Sequence, residues 1–363
     1  MNSITSEPEK SDDKLDSPRM IRFGKRQVQH WAIYLTLGVT TALLFALIST
    51  LGITSLVSKD SAATPVKILK EPEMVAETHV ATDNLISNLK LYGLWQIHPS
   101  KKVPRYLIES YPPDLSIVND VSLKKRVFLH SLLPHALFVR QEALYKRDRL
   151  ESILSKIKCS LEDINFDFDL DYESRCSWTD FLVEEEISFI QKLCKNYRTT
   201  SAAGLLERVD AVPTSIILAQ GALESSWGSS RFTREGNSIF GMWTWKHKGM
   251  VPSRREEGKT HKVKAYESIL DSVRSYHLTL NRLDSYDQFR QLRRLTDDPL
   301  ILAEGLYLYS ERGEEYVEDI KKVILSNDLQ QYDSCRLSDQ DLPEFSSPVR
   351  RTIAVSEPDK ASL

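Results

Sequence analysis

Residues 212–228 read VPTSIILAQGALESSWG, and this stretch decides how the chain folds. Proline is tolerated in the first turn of a helix, so Pro213 favours a helix start, and Gly228 provides an end. At about 100° per residue, Glu224 falls only about 20° from Ile217. The pattern predicts a helix that carries a carboxyl group on a face of apolar and small residues.

The carboxyl group of Glu224 has two interpretations. Partial burial and the negative end of the helix dipole both raise the pKa of a carboxyl group, which then stays protonated near neutral pH. A general acid that donates a proton to a glycosidic oxygen needs such a group. An ion pair with Arg231 or Arg234 would instead lower this pKa, and the spacing alone leaves both interpretations open.

Helical periodicity dominates the rest of the globular part. Apolar residues recur at three- and four-residue spacings in RVFLHSLLPHALFVRQEALYKRDRLESILSKI (126–157), EEEISFIQKLCKNY (184–197), DSVRSYHLTLNRL (271–283) and LILAEGLYLYS (300–310). Pro134 is expected to kink or divide the first of these helices. The run THKVKAYES (260–268) alternates with period two, which indicates a strand. The sequence therefore predicts a mainly α fold with a small β-hairpin lobe.

Four stretches carry a resemblance to a known family. The longest is RVDAVPTSIILAQGALESSWGSSRFTREGNSIFGMW (208–243), and it is supported by VPRYLIESYPPDL (103–115), FLHSLLPHAL (128–137) and YSERGEEYVEDI (309–320). From about Val103 to about Gln330 the chain resembles the Bax-type glucosaminidases, relatives of the flagellar and autolysin glucosaminidases within the lysozyme-like superfamily. The helix-borne glutamate, the GNSIFG turn and the late RGxxYV occur in the order found in that family.

This resemblance implies a lysozyme-like helical fold with a small β-lobe. It also implies hydrolysis of the β-1,4 bond after N-acetylglucosamine in peptidoglycan, for which no cofactor is expected. Carried over residue by residue, Glu224 matches the family's catalytic acid, and Tyr316 matches the tyrosine that lies across the groove. Asn237, Phe240 and Gly241 match the turn that shapes the floor of the groove.

A second catalytic group is harder to place. Related glucosaminidases hold a second carboxylate on the β-lobe, where this chain offers Glu256 and Glu257, although the local spacing matches poorly. One hypothesis is that Glu256 or Glu257 activates a water molecule on the opposite face of the sugar. In the competing mechanism the substrate's own 2-acetamido group attacks, and Tyr316 helps to hold it.

Aromatic and basic residues near the hairpin are candidates for contacts with the substrate. Trp243 and Trp245, with Phe240, could stack on sugar rings, although core packing explains at least one of them equally well. We assign Trp243 to the groove as a substrate-binding residue, together with Gln220. The lobe is also basic, which indicates either a solvated face or a surface for anionic envelope polymers. Its cations are Lys246, Lys248, Arg254, Arg255, Lys259, Lys262 and Lys264.

The run from Trp31 to Val57 contains no charged residue and exceeds the roughly 30 Å of a bilayer core, which predicts a transmembrane helix. Basic residues are concentrated on its N-terminal side. This bias predicts a single-pass protein of the bacterial inner membrane with a cytoplasmic N-terminus and a periplasmic catalytic domain. A cleaved signal peptide is the alternative, but its apolar run is normally only about 7 to 15 residues long.

The predicted organisation follows from these signals. Its segments are a cytoplasmic tail (1–30), the transmembrane helix (31–57), a linker (58–85), a helical N-terminal part of the exported region (86–200), the glucosaminidase catalytic domain (201–336) and a disordered tail (337–363).

Four cysteines, Cys159, Cys176, Cys194 and Cys335, would lie in an oxidising compartment if the chain is exported. They allow three full disulfide pairings, and buried free thiols are the alternative. They form no CxxC pair, and the histidines show no HExxH spacing, so no metal site is expected.

The charge, the motifs and the predicted export limit the classes of function that the chain can have. A formal net charge of −3 over 363 residues argues against a chain-wide nucleic-acid binder. The favoured function is a membrane-tethered peptidoglycan hydrolase. A non-catalytic peptidoglycan-binding or scaffolding module is the alternative, supported by the poorly matched second carboxylate. Within the enzyme class, a muramidase or lytic transglycosylase that cuts after N-acetylmuramic acid stays open.

Overall fold

The computed structural model describes residues 71, 74, 81–168, 176–245, 248–253, 255 and 258–339, which belong to the unit Leu69–Leu363. Its α-helices are α1 (Thr82–Leu91), α2 (Val121–Leu154), α3 (Glu184–Tyr197), α4 (Ala202–Arg208), α5 (Thr214–Ser225), α6 (Arg231–Gly236), α7 (Ile269–Arg282), α8 (Asp287–Arg293), α9 (Pro299–Leu302) and α10 (Glu314–Ser326). Its strands are β1 (Trp243–Thr244), β2 (Gly249–Met250) and β3 (Lys262–Lys264). Short 3-10 helices cover Pro113–Ile117, Trp178–Phe181, Asp284–Tyr286, Ala303–Tyr309 and Leu329–Ser334.

The predicted transmembrane segment, 31–57, and the predicted cytoplasmic tail, 1–30, lie outside the described residues. Within the part of the chain that is described, no helix has the length and apolar character needed to cross a membrane.

Ordered structure extends into the predicted linker (58–85) at one end and into the predicted disordered tail (337–363) at the other. Helix α1 begins at Thr82, within the predicted linker, and its Leu85 is fully buried. Leu337, within the predicted tail, is buried and forms a parallel bridge with Val103. Residues 340–363 of that tail lie outside the described residues.

Helix α5 lies at the centre of the fold. The side chains from Thr214 to Ala222 are all buried, so the helix predicted from the sequence is confirmed but is covered along most of its surface. It packs against α2, α10 and the 3-10 helix Leu329–Ser334. A Cβ atom on Gly221 would lie 2.9 Å from the Leu132 side chain, so glycine lets α2 come close.

Helix α2 continues through Pro134, so of the predicted kink or division the division is wrong and the kink stays a prediction. Proline removes one backbone hydrogen bond and costs about 3 kcal/mol in a helix interior. Residues 132–138 are all buried, and burial of their apolar surface outweighs that loss. The Ser131 hydroxyl also donates to the carbonyl of Val127 at 2.6 Å in the preceding turn.

The small lobe is a three-stranded sheet with the order β1-β3-β2, rather than the predicted hairpin. Strand β3 lies in the alternating run, and its central Val263 is buried between two more exposed lysines. Val263 pairs with Trp243 on one side and with Met250 on the other, both antiparallel. Strands β1 and β2 have only two residues each, which is too short for a period-two pattern to appear in the sequence.

The pattern over residues 300–310 predicts a single helix, but the structure has the short α9 followed by the 3-10 helix Ala303–Tyr309. Gly305 gives the physical reason. A Cβ atom at this position would lie 2.3 Å from the Cα atom of Phe289, so the backbone here touches α8 directly. This tertiary contact overrides the local preference for an α-helix and leaves the tighter 3-10 winding.

A second apolar cluster lies where the end of α2 meets α4, and α3 packs on α4. Cys159 and Cys176 form a disulfide bond at this cluster. Cys194 and Cys335 are buried free thiols. Of the arrangements that the sequence leaves open, the structure therefore has one disulfide and two buried thiols.

Gly305→Ala is expected to destabilise the protein by about 1–3 kcal/mol, the usual range for overpacking. The new methyl group would meet backbone atoms of Phe289, which cannot rotate away. Thermal unfolding followed by circular dichroism measures the effect as a lower Tm.

Gly221→Ala is the matched control for this substitution. Its methyl group meets the movable end of the Leu132 side chain, and alanine improves helix propensity by about 1 kcal/mol. We therefore expect a clearly smaller loss of Tm, and equal losses in the two variants would contradict the close contact at Gly305.

Candidate active site

Glu224 lies in the last turn of α5, which ends at Ser225 rather than at the predicted Gly228. Ser226, Trp227 and Gly228 all have left-handed backbone conformations, with φ angles of 50°, 57° and 78°. The Ser225 hydroxyl holds this turn, because it accepts a hydrogen bond from the Gly228 N–H at 2.8 Å. The chain thus leaves the helix directly after Glu224, and the carboxyl group stays at the negative end of the helix dipole.

A chain of hydrogen bonds leads from the core to Glu224. The Tyr276 hydroxyl donates to Oε1 of Gln220, and Nε2 of Gln220 donates to the Tyr316 hydroxyl at 2.9 Å. The Tyr316 hydroxyl donates in turn to Oε1 of Glu224 at 2.7 Å. Gln220 is fully buried and its amide holds Tyr316, whereas its predicted contact with substrate stays a prediction.

The surroundings raise the pKa of the Glu224 carboxyl group above its ordinary value. Burial is the largest cause, and the hydrogen bond from Tyr316 and the positive charge of Arg312 lower the pKa by less. The alternative of an ion pair near the helix end is wrong within the described residues. Arg231 pairs with Glu235 at 3.2 Å, and Arg234 forms no ion pair with Glu224.

Tyrosine side chains enclose this carboxyl group. Tyr309 stacks parallel to Tyr316, with 5.7 Å between the ring centroids and an angle of 6°. The Tyr309 hydroxyl donates to the Phe240 carbonyl at 2.8 Å, and the Phe240 ring stacks on Tyr276 at 3.9 Å. Burial and the nearby Glu224 raise the pKa of Tyr316 far above its ordinary value, so its hydroxyl stays protonated and remains a donor.

The turn from Asn237 to Gly241 lies across from the carboxyl group. Asn237 has a φ of 51°, and its amide donates to the Glu267 carbonyl at 3.0 Å. Asn237 and Phe240 are both buried, so their side chains pack within the turn, and their contact with a substrate stays a prediction. Gly241 has a φ of 60°, and a Cβ atom there would lie 3.6 Å from Oε2 of Glu224.

The two tryptophans of the lobe are exposed, Trp243 by 55% and Trp245 by 65%, so neither is a core residue. Trp243 follows Gly241 by two positions and stacks on the His261 ring at 4.4 Å. Trp245 lies edge-on to Trp243 at 6.3 Å between the ring centroids. An exposed indole beside the turn keeps the surface that stacking on a sugar ring requires.

The proposed second carboxylates, Glu256 and Glu257, lie outside the described residues, as do Lys246, His247 and Arg254 of the basic lobe. Over the ranges that are described, no group of three or more potential ligands is arranged to hold a metal ion.

The arrangement suits a proton donor. The Glu224 carboxyl group has a raised pKa, its Oε1 accepts a hydrogen bond from the Tyr316 hydroxyl, and its Oε2 lies beside Gly241. Sequence reasoning missed Tyr276 and Tyr309. Both lie in helical runs where a buried tyrosine is indistinguishable from an ordinary core residue, and only their partners distant in sequence show that they belong to the site.

Three known proteins or families are similar to this chain. The glucosaminidase family, described as mannosyl-glycoprotein endo-β-N-acetylglucosaminidase, matches residues 200–329. The protein Bax of Escherichia coli strain K12 is 27% identical over 253 residues, which cover 67% of this chain and 85% of Bax. The catalytic domain of the autolysin Auto from Listeria monocytogenes is 22% identical, with a TM-score of 0.27 over 40% of this chain and 81% of that domain.

The matched family range contains Gln220, Glu224, Tyr276 and Tyr316, that is, the whole hydrogen-bond chain. With the similarity to Bax over most of its length, this match confirms the resemblance to the Bax-type glucosaminidases, a family of glycoside hydrolases.

Proposed function

We propose that the protein is an endo-β-N-acetylglucosaminidase that cleaves the β-1,4 bond after N-acetylglucosamine in peptidoglycan, with Glu224 as the general acid. The observation that carries this proposal is the hydrogen bond of 2.7 Å from Tyr316 to a Glu224 carboxyl group whose pKa is raised by burial. The description of the matching family as an endo-β-N-acetylglucosaminidase supports the assignment of the cleaved bond to the one after N-acetylglucosamine. Peptidoglycan as the substrate rests on the resemblance to glucosaminidases that act on the cell wall.

In the first step Glu224 donates its proton to the glycosidic oxygen while the bond between that oxygen and C1 of the sugar breaks. The bonding electrons stay with the oxygen, and C1 gains positive charge. Glu224 becomes a carboxylate. The Tyr316 hydrogen bond and the charge of Arg312 stabilise this negative form, since both lower the pKa of the carboxyl group. Their stabilisation therefore increases as the reaction proceeds.

A water molecule must then add to C1, and two routes stay open. In one route Glu256 or Glu257 accepts a proton from the water on the opposite face of the sugar. In the other route the 2-acetamido oxygen attacks C1, and water later opens the resulting ring. Tyr316 already donates its proton to Glu224, so it could hold the acetamido group only by accepting from its N–H.

We also propose that the chain is anchored in the bacterial inner membrane by residues 31–57, with its catalytic domain in the periplasm. The Cys159–Cys176 disulfide supports export, because disulfides persist in the periplasm and are rare in the cytosol. Cell fractionation and protease accessibility of the domain in spheroplasts test this orientation.

Glu224→Gln is expected to reduce the release of fragments from purified peptidoglycan by about 10²–10⁴-fold, the contribution of a general acid. Mass spectrometry of the fragments should show N-acetylglucosamine at the reducing ends for the unaltered protein. Glu235→Gln is the matched control, because it replaces a carboxylate that pairs with Arg231 on the nearby surface, and it should retain activity.

Other products would change the conclusion in defined ways. Muramic or anhydromuramic ends would retain the enzyme but overturn the bond assignment. No release by either protein, with both still sedimenting with the wall, would indicate a binding module. Full activity of Glu224→Gln would rule out Glu224 as the acid.

The double substitution Glu256→Ala/Glu257→Ala separates the two routes for water. If one of these carboxylates is the base, turnover falls by about 10²-fold or more, and an added small nucleophile such as azide restores part of it. If turnover is unchanged, the two-carboxylate mechanism is excluded and the substrate's acetamido group is the remaining nucleophile.

A further inference from the structure

We propose that Tyr276 is a positioning residue that, through Gln220 and Tyr316, places the acidic proton of Glu224 on Oε2, the oxygen that faces Gly241. This inference rests on the proposed function, because it concerns the proton that Glu224 is to donate. It adds a residue of α7 to the site and identifies the carboxyl oxygen that carries the proton.

The chemistry of each group determines the direction of the hydrogen bonds. An amide oxygen only accepts and an amide nitrogen only donates, whereas a protonated phenol has a single proton to give. Because Nε2 of Gln220 donates to Tyr316, the proton of Tyr316 is directed to Oε1 of Glu224. Oε1 is therefore an acceptor, and a protonated Glu224 carries its hydrogen on Oε2.

The opposite orientation of the Gln220 amide would reverse this result. Its oxygen would then accept from Tyr316, and the proton of Glu224 would lie on Oε1 and point inward to Tyr316. The Gln220 nitrogen would face Tyr276, and the Tyr276 proton would lose its acceptor. Tyr276 is fully buried, and across the described residues the one acceptor of its hydroxyl is Gln220.

Tyr276 thus selects the orientation of the amide, because a buried donor without an acceptor is unfavourable. The stacked Phe240 ring, with 3.9 Å between the centroids and an angle of 12°, holds the Tyr276 ring in place. Through the series of hydrogen bonds, Tyr276 thus sets the orientation of Gln220, Gln220 sets the proton direction of Tyr316, and Tyr316 sets the proton position on Glu224.

Oε2 lies beside Gly241. A Cβ atom added to Gly241 would lie 3.6 Å from Oε2 and within 4 Å of no other neighbouring atom in the described parts of the chain. The φ of 60° at Gly241 also disfavours any residue with a side chain. The proton on Oε2 therefore faces a space that Gly241 leaves open.

The titratable groups near Glu224 come from several elements. Tyr276 lies on α7, Tyr316 on α10, and Tyr286 and Tyr309 on 3-10 helices, and Glu224 raises the pKa of all four of these phenols. Arg312 is the charged group among them and lowers the pKa of Glu224. The phenols stay neutral, so a change in the titration of Glu224 reports on hydrogen bonding.

Tyr276→Phe tests the inference, because it removes the hydroxyl and keeps the ring. Without the Tyr276 proton the Gln220 amide can turn over, and Tyr316 then donates to Glu224 for only part of the time. Loss of that donor raises the pKa of Glu224. The acid dissociation constant of its carboxyl group should therefore fall about 3- to 10-fold, as expected for a weakened hydrogen bond. A ¹³C NMR titration of the Glu224 carboxyl carbon, assigned against Glu224→Gln, measures this in the free protein.

The kinetic readout should agree with the titration. We expect kcat to fall about 3- to 10-fold with KM unchanged, and the high-pH limit of activity to move to higher pH. Tyr286→Phe is the matched control: it removes another phenol hydroxyl near Glu224 that is outside the hydrogen-bond chain, and it should change neither quantity.

A second variant shows whether Tyr276 acts through Gln220. In Gln220→Met the side chain keeps its size and loses both amide groups, so Tyr316 still donates to Glu224 and the dissociation constant should change less than in Tyr276→Phe. Tyr276→Phe in the Gln220→Met background should add nothing, because the intermediate link is gone.

Two results would overturn the inference. One is an acid dissociation constant of Glu224 that Tyr276→Phe leaves unchanged, and the other is an effect of Tyr276→Phe that is as large in the Gln220→Met background as in the unaltered protein. If Tyr276→Phe does not fold, a change in Gln220→Met of 3-fold or more would also overturn it. The titration needs no turnover. Loss of the proposed function would appear as full activity of Glu224→Gln or as inactive unaltered protein, whereas failure of this inference alone would leave Glu224-dependent activity intact.

Discussion

A buried carboxyl group with a raised pKa, at the end of a core helix, is the constraint on which the rest of the site depends. Taking a charge out of water is unfavourable, and the surroundings of Glu224 respond by raising its pKa rather than by supplying a close cation. A carboxyl group with a raised pKa keeps its proton to a higher pH, where it can donate it. The same feature that makes α5 unusual for a core helix is therefore the basis of the proposed proton donation.

The surrounding elements are arranged to hold that group. Helix α10 supplies Tyr316 as a donor, α7 supplies Tyr276 behind Gln220, and the 3-10 helix Ala303–Tyr309 supplies Tyr309, which ties down the Phe240 carbonyl. These contacts join segments far apart in the chain, so each of them depends on the tertiary packing of the domain. Donors that are in place before a substrate arrives are the basis of electrostatic preorganisation.

Local pattern was sufficient to predict α5, the position of Glu224 on it and the mainly helical fold, because periodicity and helix-end chemistry are properties of short segments. It could not predict the role of Gln220. The spacing correctly puts Gln220 beside Glu224, but its partners Tyr276 and Tyr316 come from distant helices, and only the packing shows that the amide is buried.

Other differences have the same origin. The two-residue strands β1 and β2 form because β3 lies between them, and the 3-10 helix at Gly305 forms because α8 presses on it. Pro134 stays within α2 because its buried neighbours outweigh one lost hydrogen bond. In each case a tertiary contact overrides the local secondary-structure preference of the segment. A sequence pattern does not predict such a contact.

The stability of Glu224→Gln relative to the unaltered protein, measured as Tm across pH 4 to 9, tests the central claim most directly. Below about pH 4.3 the carboxyl group is protonated in both the folded and unfolded states, and its ionisation does not affect folding. Above that pH the unfolded state releases its proton first, so the folded protein loses stability until the pH passes the raised pKa, whereas the glutamine variant does not. The account predicts that the Tm advantage of Glu224→Gln grows with pH and then levels off. An advantage that shrinks or reverses as the pH rises would show that the folded protein favours the carboxylate and would contradict the account.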